Sequence, residues 1–253
     1  YLVTRGGATL CAKVYKDVQQ RSFRQAVQYR EGRKVRNSRL ARAMEKGSKF
    51  GREEQQEHWQ NHEVNALYRL AAAGVRVPKP YGCFDGVLLM EMVEDGEGNV
   101  ADRLADFDFE PDQARDFHAR LIREVVRMLC AGLIHGDLSE FNILVDPDGP
   151  VIIDLPQAVD AAANNHARAM LARDVQNLAN FFGQYAPDLL QTNFADEIWD
   201  LYERGELTPE TKLTGEFVRE EAPADVDDLL RQIQDVIAEE EARKAREAAG
   251  DEP

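Results

Sequence analysis

One run of residues constrains the fold and chemistry of this chain more than any other: Leu133-Ile134-His135-Gly136-Asp137-Leu138-Ser139-Glu140-Phe141-Asn142-Ile143-Leu144, followed by Val151-Ile152-Ile153-Asp154. An apolar stretch leads into His-x-Asp, an Asn follows five residues after the Asp, and a second apolar stretch ends in Asp. This order suits phosphoryl transfer. Asp137 is placed to accept a hydrogen bond from an attacking hydroxyl, and Asn142 and Asp154 are oxygen ligands for the divalent cations that neutralise ATP phosphates. Magnesium takes a few protein oxygens and completes its shell with phosphate and water, so two side chains suffice. The turn after His135 presents Asp137 at the mouth of a cleft. The chain then returns as a strand through Ile143-Leu144-Val145, Asp146-Pro147-Asp148-Gly149 reads as a hairpin turn, and Val151-Ile152-Ile153 carries Asp154 to the same mouth. A lone Asp-x-x-x-x-Asn would read as a hairpin with turn-favouring ends. The full set in this order carries the functional reading.

At these residues the chain resembles the RIO family of atypical protein kinases. His135 to Asn142 is similar to the family's catalytic loop, and Ile152-Ile153-Asp154-Leu155-Pro156-Gln157-Ala158-Val159 to its metal loop. The resemblance favours the one-type branch in a bacterial-looking form and covers about residues 1–205. Gly136 stands where ordinary eukaryotic kinases carry the Arg of His-Arg-Asp, and Leu155-Pro156 replaces Phe-Gly. There is no Ala-Pro-Glu motif and no long peptide-docking segment, absences that RIO kinases share. The resemblance implies an α+β, bilobal, protein-kinase-like fold with a small β-rich N-lobe and a mainly helical C-lobe. The expected division is an N-lobe over 1–92, a C-lobe over 93–205, and a linker, amphipathic helix and charged tail over 206–253.

Leu2-Val3-Thr4, Arg5-Gly6-Gly7 and Leu10 to Tyr15 read as strand, turn, strand. Alternation sets Lys13 on the opposite face from Ala12 and Val14, and the resemblance makes it the lysine that reaches the ATP phosphates. The family's glycine-containing phosphate loop is expected upstream of Tyr1, so Arg5-Gly6-Gly7 is expected to be a hairpin. Glu53 to Ala73 has helical spacing in Trp59, Val64, Leu67, Leu70 and Ala71. By resemblance, Glu63 on this helix pairs with Lys13. Tyr81 to Val93 reads as two strands joined at Asp85-Gly86. Leu89-Met90-Glu91-Met92-Val93 resembles the hinge between kinase lobes, with Met90 lining the pocket and adenine meeting backbone groups of Glu91 and Val93. Further helices are expected over Pro111 to Ala131, Ala167 to Tyr185, and beyond Asp225. Arg173-Asp174 matches a bracing position in the family and reads equally well as an exposed ion pair.

The net charge of −15 hides an asymmetry. Residues 21–52 carry 11 Lys and Arg against Glu31 and Glu45, a net of +9. The acidic body argues against general adhesion to nucleic acid, while the basic segment suits a local contact with RNA or an acidic protein. By resemblance, residues 18–52 form a flexible loop, with Ser22, Ser38 and Ser48 as autophosphorylation candidates. No apolar stretch approaches the ~20 residues of a membrane span. Cys11, Cys83 and Cys130 are scattered, and buried free thiols in a reducing cytoplasm are expected.

The resemblance implies an ATP- and magnesium-dependent kinase, with manganese as an alternative cation, that phosphorylates Ser/Thr hydroxyls of an unidentified protein substrate and of itself. Two alternatives compete. One is an ATPase-driven assembly factor with a transient phosphate on Asp154. The other is a small-molecule kinase of the aminoglycoside type, which would more usually read His-Gly-Asp-Leu-His-x-x-Asn. Ser139-Glu140-Phe141 favours the RIO reading.

Overall fold

The first turns fall where the sequence carries Gly and Asp. The computed structural model describes residues 1–14 and 62–218. In it β1 (Leu2–Arg5) folds back on β2 (Ala8–Val14) through Gly6 and Gly7. β3 (Pro80–Phe84) folds onto β4 (Val87–Glu91) through Asp85 and Gly86, both with positive φ, 48° and 75°. That pair of values is the turn whose twist matches a hairpin's. The four strands form one antiparallel sheet in the order β1-β2-β4-β3, with Lys13 opposite Leu88 and Cys11 opposite Met90. The basic segment 18–52 with Ser22, Ser38 and Ser48, the first part of the helix expected from Glu53, and the helix and tail expected beyond Asp225 lie outside the described residues.

Helix α1, described over 62–72, turns Glu63, Ala66, Leu67 and Leu70 inward. The remaining helices are α2 (Pro111–Cys130), α3 (Ala167–Phe182) and α4 (Phe194–Glu203). Pro111 opens α2 at a position where the lost N–H is not needed. Glu110 and Gln113 exchange side-chain to backbone hydrogen bonds as a capping box. Two short antiparallel pairs fill the space between helices: β5 (Leu133–Ile134) with β8 (Val159–Asp160), and β6 (Ile143–Asp146) with β7 (Gly149–Ile152). At the β6–β7 turn the Asp146 carboxylate accepts N–H bonds from Asp148 and Gly149, 2.8 and 3.0 Å. Leu70 and Leu88 belong to the same buried cluster as Leu129, Ile143, Ile152 and Phe182. The sheet and the helical part therefore share one core.

The chain divides into two compact units, Tyr1–Phe217 and Val218–Pro253. The stretch after α4 stays with the first unit through Phe217. Buried Glu197 accepts N–H bonds from Thr214 and Gly215, and the Asn193 N–H bonds to the Gly215 carbonyl. The expectation of buried thiols is corrected. Cys83 lies on the sheet's edge strand and Cys130 at the last position of α2; both are exposed, and Cys11 is half-buried. Val14 is also 50% exposed, so the alternation that buries Ala12 ends before it.

Among the described residues no helix is long and apolar enough to cross a membrane. His118 of α2 is 1% exposed between the rings of Phe182 and Phe194, 5.9 and 5.7 Å away. Burial pulls its pKa down to about 4 from 6.5. Between these values the unfolded chain binds a proton that folded His118 refuses, so stability falls as the pH drops through this window. Other groups titrate alike in wild type and in His118→Leu. The stability difference between the two proteins is therefore expected to move by about 3 kcal/mol in favour of His118→Leu from pH 7 to pH 4. Urea titrations at both pH values check it; a constant difference would exclude neutral burial of His118.

Candidate active site

Lys13 reaches out of β2 into the space between sheet and helices. Its Nζ donates to Glu63 Oε1 at 2.5 Å and to Asp154 Oδ1 at 2.6 Å. Glu63 is nearly sealed, with 4% of its side chain exposed, whereas Asp154 is 46% exposed. Burial works against the Lys13 ammonium. The carboxylates of Glu63 and Asp154 outweigh it, so its pKa lies above the usual lysine value and the charge is kept. Removing Lys13 would strand the Glu63 carboxylate, which has little access to water, at a cost of about 3–5 kcal/mol.

The loop after β5 is gripped from below by α3. Asp174 is 1% exposed, and its carboxylate accepts the Gly136 N–H at 2.7 Å and the Leu138 N–H at 3.0 Å. The Asn177 amide donates to the Leu138 carbonyl, 2.9 Å, and the Arg173 guanidinium donates to the Gly136 carbonyl. Between bracing and an exposed ion pair, the geometry selects bracing for Asp174. Burial pushes its pKa up to about 7, against the pull of the Leu138 and Gly136 N–H groups and of Arg173. His135 is also buried, and burial lowers its pKa to about 4, so it is neutral. Its Nε2 meets the Ile153 carbonyl at 3.1 Å and its Nδ1 accepts from the Asp137 N–H at 3.3 Å. That pattern assigns the proton to Nε2. His135 thus ties the two loops that carry Asp137 and Asp154.

Asn142 follows on a short 3-10 turn, Glu140–Asn142. Its Nδ2 donates to the Asp137 carbonyl at 2.8 Å, which leaves Oδ1 as the atom able to meet a cation. Asp154 has φ +64°, a left-handed conformation that Asp tolerates better than most residues. Asp137 is partly exposed. Burial raises its pKa; Arg173 lowers it and Asp154 raises it further. The Gln157 Nε2 donates to Asp137 Oδ2 at 3.2 Å.

A cleft of about 410 Å³ brings together Lys13, Met90, Glu91, Val93, Asn142 and Asp154, with Ala12, Leu144 and Ile153 supplying apolar wall. Glu63 stands behind Lys13 and Asp137 is reached through Asn142; neither lines this cleft itself. A larger cavity of about 780 Å³ opens on other faces of Glu91 and Val93 but contains none of Lys13, Asp137, Asn142 and Asp154. The smaller cleft is the one that gathers the charged and amide side chains of the candidate site. Among the described residues no three His, Cys, Asp or Glu side chains gather to hold a metal alone. Two side-chain oxygen donors at the cleft, Asn142 and Asp154, suit a divalent cation that completes its shell with other oxygens.

Two residues of the site escaped sequence reasoning, Gln157 and His62; Asp174 reads from sequence as either a brace or an exposed ion pair. His62, next to Glu63, meets the Ala158 carbonyl at 2.5 Å. A Gln three residues past Asp154 and a His on a helix carry no chemical signal of their own. The alternating spacing could locate their elements but not their partners.

The chain matches the family described as RIO domain over residues 1–195. It belongs to the RIO family. The RIO-type serine/threonine-protein kinase Rio1 of Haloferax volcanii is 42% identical over 134 residues, covering 51% of this chain and 43% of that protein. RIO-type serine/threonine-protein kinase Rio2 of Methanocaldococcus jannaschii is 38% identical over 115 residues, 45% of this chain and 42% of that protein. Serine/threonine-protein kinase RIO1 of Homo sapiens is 32% identical over 130 residues, 51% of this chain and 22% of that protein. Each match spans less than half the relative's length.

The RIO loop explains its own glycine. A Cβ on Gly136, φ +81°, would stand 2.8 Å from the Gln157 carbonyl oxygen and 2.5 Å from the Met170 methyl. The methionine can move; the carbonyl belongs to the backbone of the loop that follows Asp154. Gly136→Ala is therefore expected to cost about 1–3 kcal/mol and to push the two loops apart. Thermal melting and turnover, measured together, check it; a wild-type melting point would show that the loops have slack.

Proposed function

We propose that this RIO chain is a serine/threonine protein kinase that uses ATP and a divalent cation, magnesium or alternatively manganese, to phosphorylate hydroxyls of a protein substrate and of itself. One observation carries the reading. Lys13 meets both Glu63 and Asp154 at the end of a cleft that also contains Asn142, with Asp137 one hydrogen bond away. Lys13, oriented by Glu63, binds phosphate oxygens. Asn142 and Asp154 hold the cation, which screens the charge between the nucleotide's phosphates. Asp137 accepts the hydrogen bond of the acceptor hydroxyl and orients its lone pair. At the hinge the Glu91 N–H is engaged with the Lys79 carbonyl and the Val93 carbonyl with the Ala101 N–H. Adenine recognition then falls to the Glu91 carbonyl and the Val93 N–H, with Met90 against the ring.

In this reading residues 1–92 form the N-lobe and 93–205 the C-lobe. The basic segment 21–52 is the part suited to RNA or an acidic protein, and free cysteines agree with a cytoplasmic setting. The test is incubation with labelled ATP and magnesium, followed by separation of protein-bound label, free phosphate and label on added small molecules. Acid-stable label recovered as phosphoserine or phosphothreonine is expected. Hydroxylamine-labile label lost in Asp154→Asn would indicate an acyl phosphate and an ATPase. Labelled aminoglycoside with unlabelled protein would indicate a small-molecule kinase.

A further inference from the structure

We propose that Gln157 is a positioning residue that aims the Asp137 carboxylate, holding one oxygen so that the other is presented to the acceptor hydroxyl. The inference rests on the kinase reading above and adds to it a residue from the metal loop.

The grips on the catalytic loop divide the work unevenly. Asp174, Arg173 and Asn177 take the main-chain groups of Gly136 and Leu138. Asn142 takes the main-chain carbonyl of Asp137. These contacts fix where the Asp137 backbone sits and leave its side-chain torsions untouched. The contact that reaches the carboxylate comes from Gln157, whose Nε2 donates to Oδ2 at 3.2 Å.

Gln157 is well mounted for this task. It is half-buried between Leu155, 2% exposed, and fully buried Ala158. The Ala158 N–H closes a turn onto the Leu155 carbonyl at 3.1 Å, and the Ala158 carbonyl meets His62 Nε2 of α1. The Gln157 carbonyl lies against Gly136, so the two loops abut backbone to backbone. The base of the side chain is thereby fixed relative to Asp137.

The chemistry of the amide suits the position. A carboxylate turns freely about its terminal torsion unless an oxygen is engaged. A single N–H donor on Oδ2 sets that angle and leaves Oδ1 for the acceptor. Lysine or arginine could set the same angle, but a second positive charge, added to that of Arg173, would lower further the proton affinity of the group meant to accept a hydroxyl proton. The neutral amide donates with much less of that effect.

Three variants test the proposal. Gln157→Met keeps the length and loses the donor; Gln157→Glu keeps the shape and sets a second carboxylate against Asp137; Asp137→Asn tests the kinase reading itself. Gln157→Met is expected to lower kcat about 10- to 100-fold, the usual penalty for a misplaced reacting group. The KM for ATP is expected to stay within about twofold, because nucleotide contacts are untouched. Gln157→Glu is expected to lose at least as much kcat. The side-chain amide proton resonances of Gln157 are expected to shift in Asp137→Ala, a signature that needs no turnover. If Asp137→Asn keeps its turnover, the kinase reading falls and this inference with it. If Asp137→Asn abolishes turnover while Gln157→Met keeps wild-type kcat, or if the Gln157 amide resonances do not move, the inference alone is overturned.

Discussion

Asp137→Asn is expected to lower phosphoryl transfer about 100- to 10,000-fold while leaving ATP affinity nearly unchanged. The geometry separates the two effects. The Asp137 backbone is anchored by His135 Nδ1, by Asn142 and, through its neighbours, by Asp174, so the substitution does not release the loop. Asn is isosteric and still offers an oxygen to Gln157, but it lacks the charge that attracts a hydroxyl proton. The cleft proposed for the nucleotide is lined by Lys13, Asn142 and Asp154 and not by Asp137. Single-turnover labelling beside equilibrium ATP titration reads both quantities. Undiminished turnover in the pure variant would remove Asp137 from the chemistry.

Asp154→Asn is expected to abolish turnover and to remove most of the magnesium dependence of ATP binding. Asn142→Ala should do so less completely. In the proposed cation-binding pair Asp154 supplies the charged oxygen, and a neutral amide would hold a divalent cation far less firmly. Asn is the informative replacement because the backbone here has φ +64°. Asn adopts that conformation readily, whereas Ala would add strain to the loss of charge. The substitution removes one charged partner of Lys13 and leaves Glu63, which lies deeper and keeps the ammonium in place. ATP titrations with and without magnesium decide it. Identical magnesium dependence in wild type and Asp154→Asn would rule out a cation at this residue.

Both expectations began as readings of local sequence, and the reason they could is physical. His135 to Asn142 and Ile152 to Asp154 are turn and strand residues whose spacing sets backbone geometry within a few positions. The three β-hairpins, at Gly6-Gly7, at Asp85-Gly86 and at Asp146 to Gly149, are local for the same reason. Helices α2 and α3 follow from three- and four-residue apolar spacing, and both end within a few residues of their expected bounds. The Lys13–Glu63 pair came from family resemblance, since nothing within either element points to the other.

Tertiary structure decided which generic side chains meet. Lys13 and Asp154 are 141 positions apart, and Gly136 and Asp174 are 38 apart. Gln157, His62 and Asp174 are types that usually face water, and no periodicity marks their partners. Their positions follow from packing α1 and α3 against the two loops, and from the close approach that Gly136 permits. Exposure of the cysteines was settled the same way, by an edge strand and a helix end. Local spacing determined the elements and the charged residues at their ends. Long-range packing decided the hydrogen bonds, because a bond's partner is set by a distance of a few ångströms that separation along the chain does not encode.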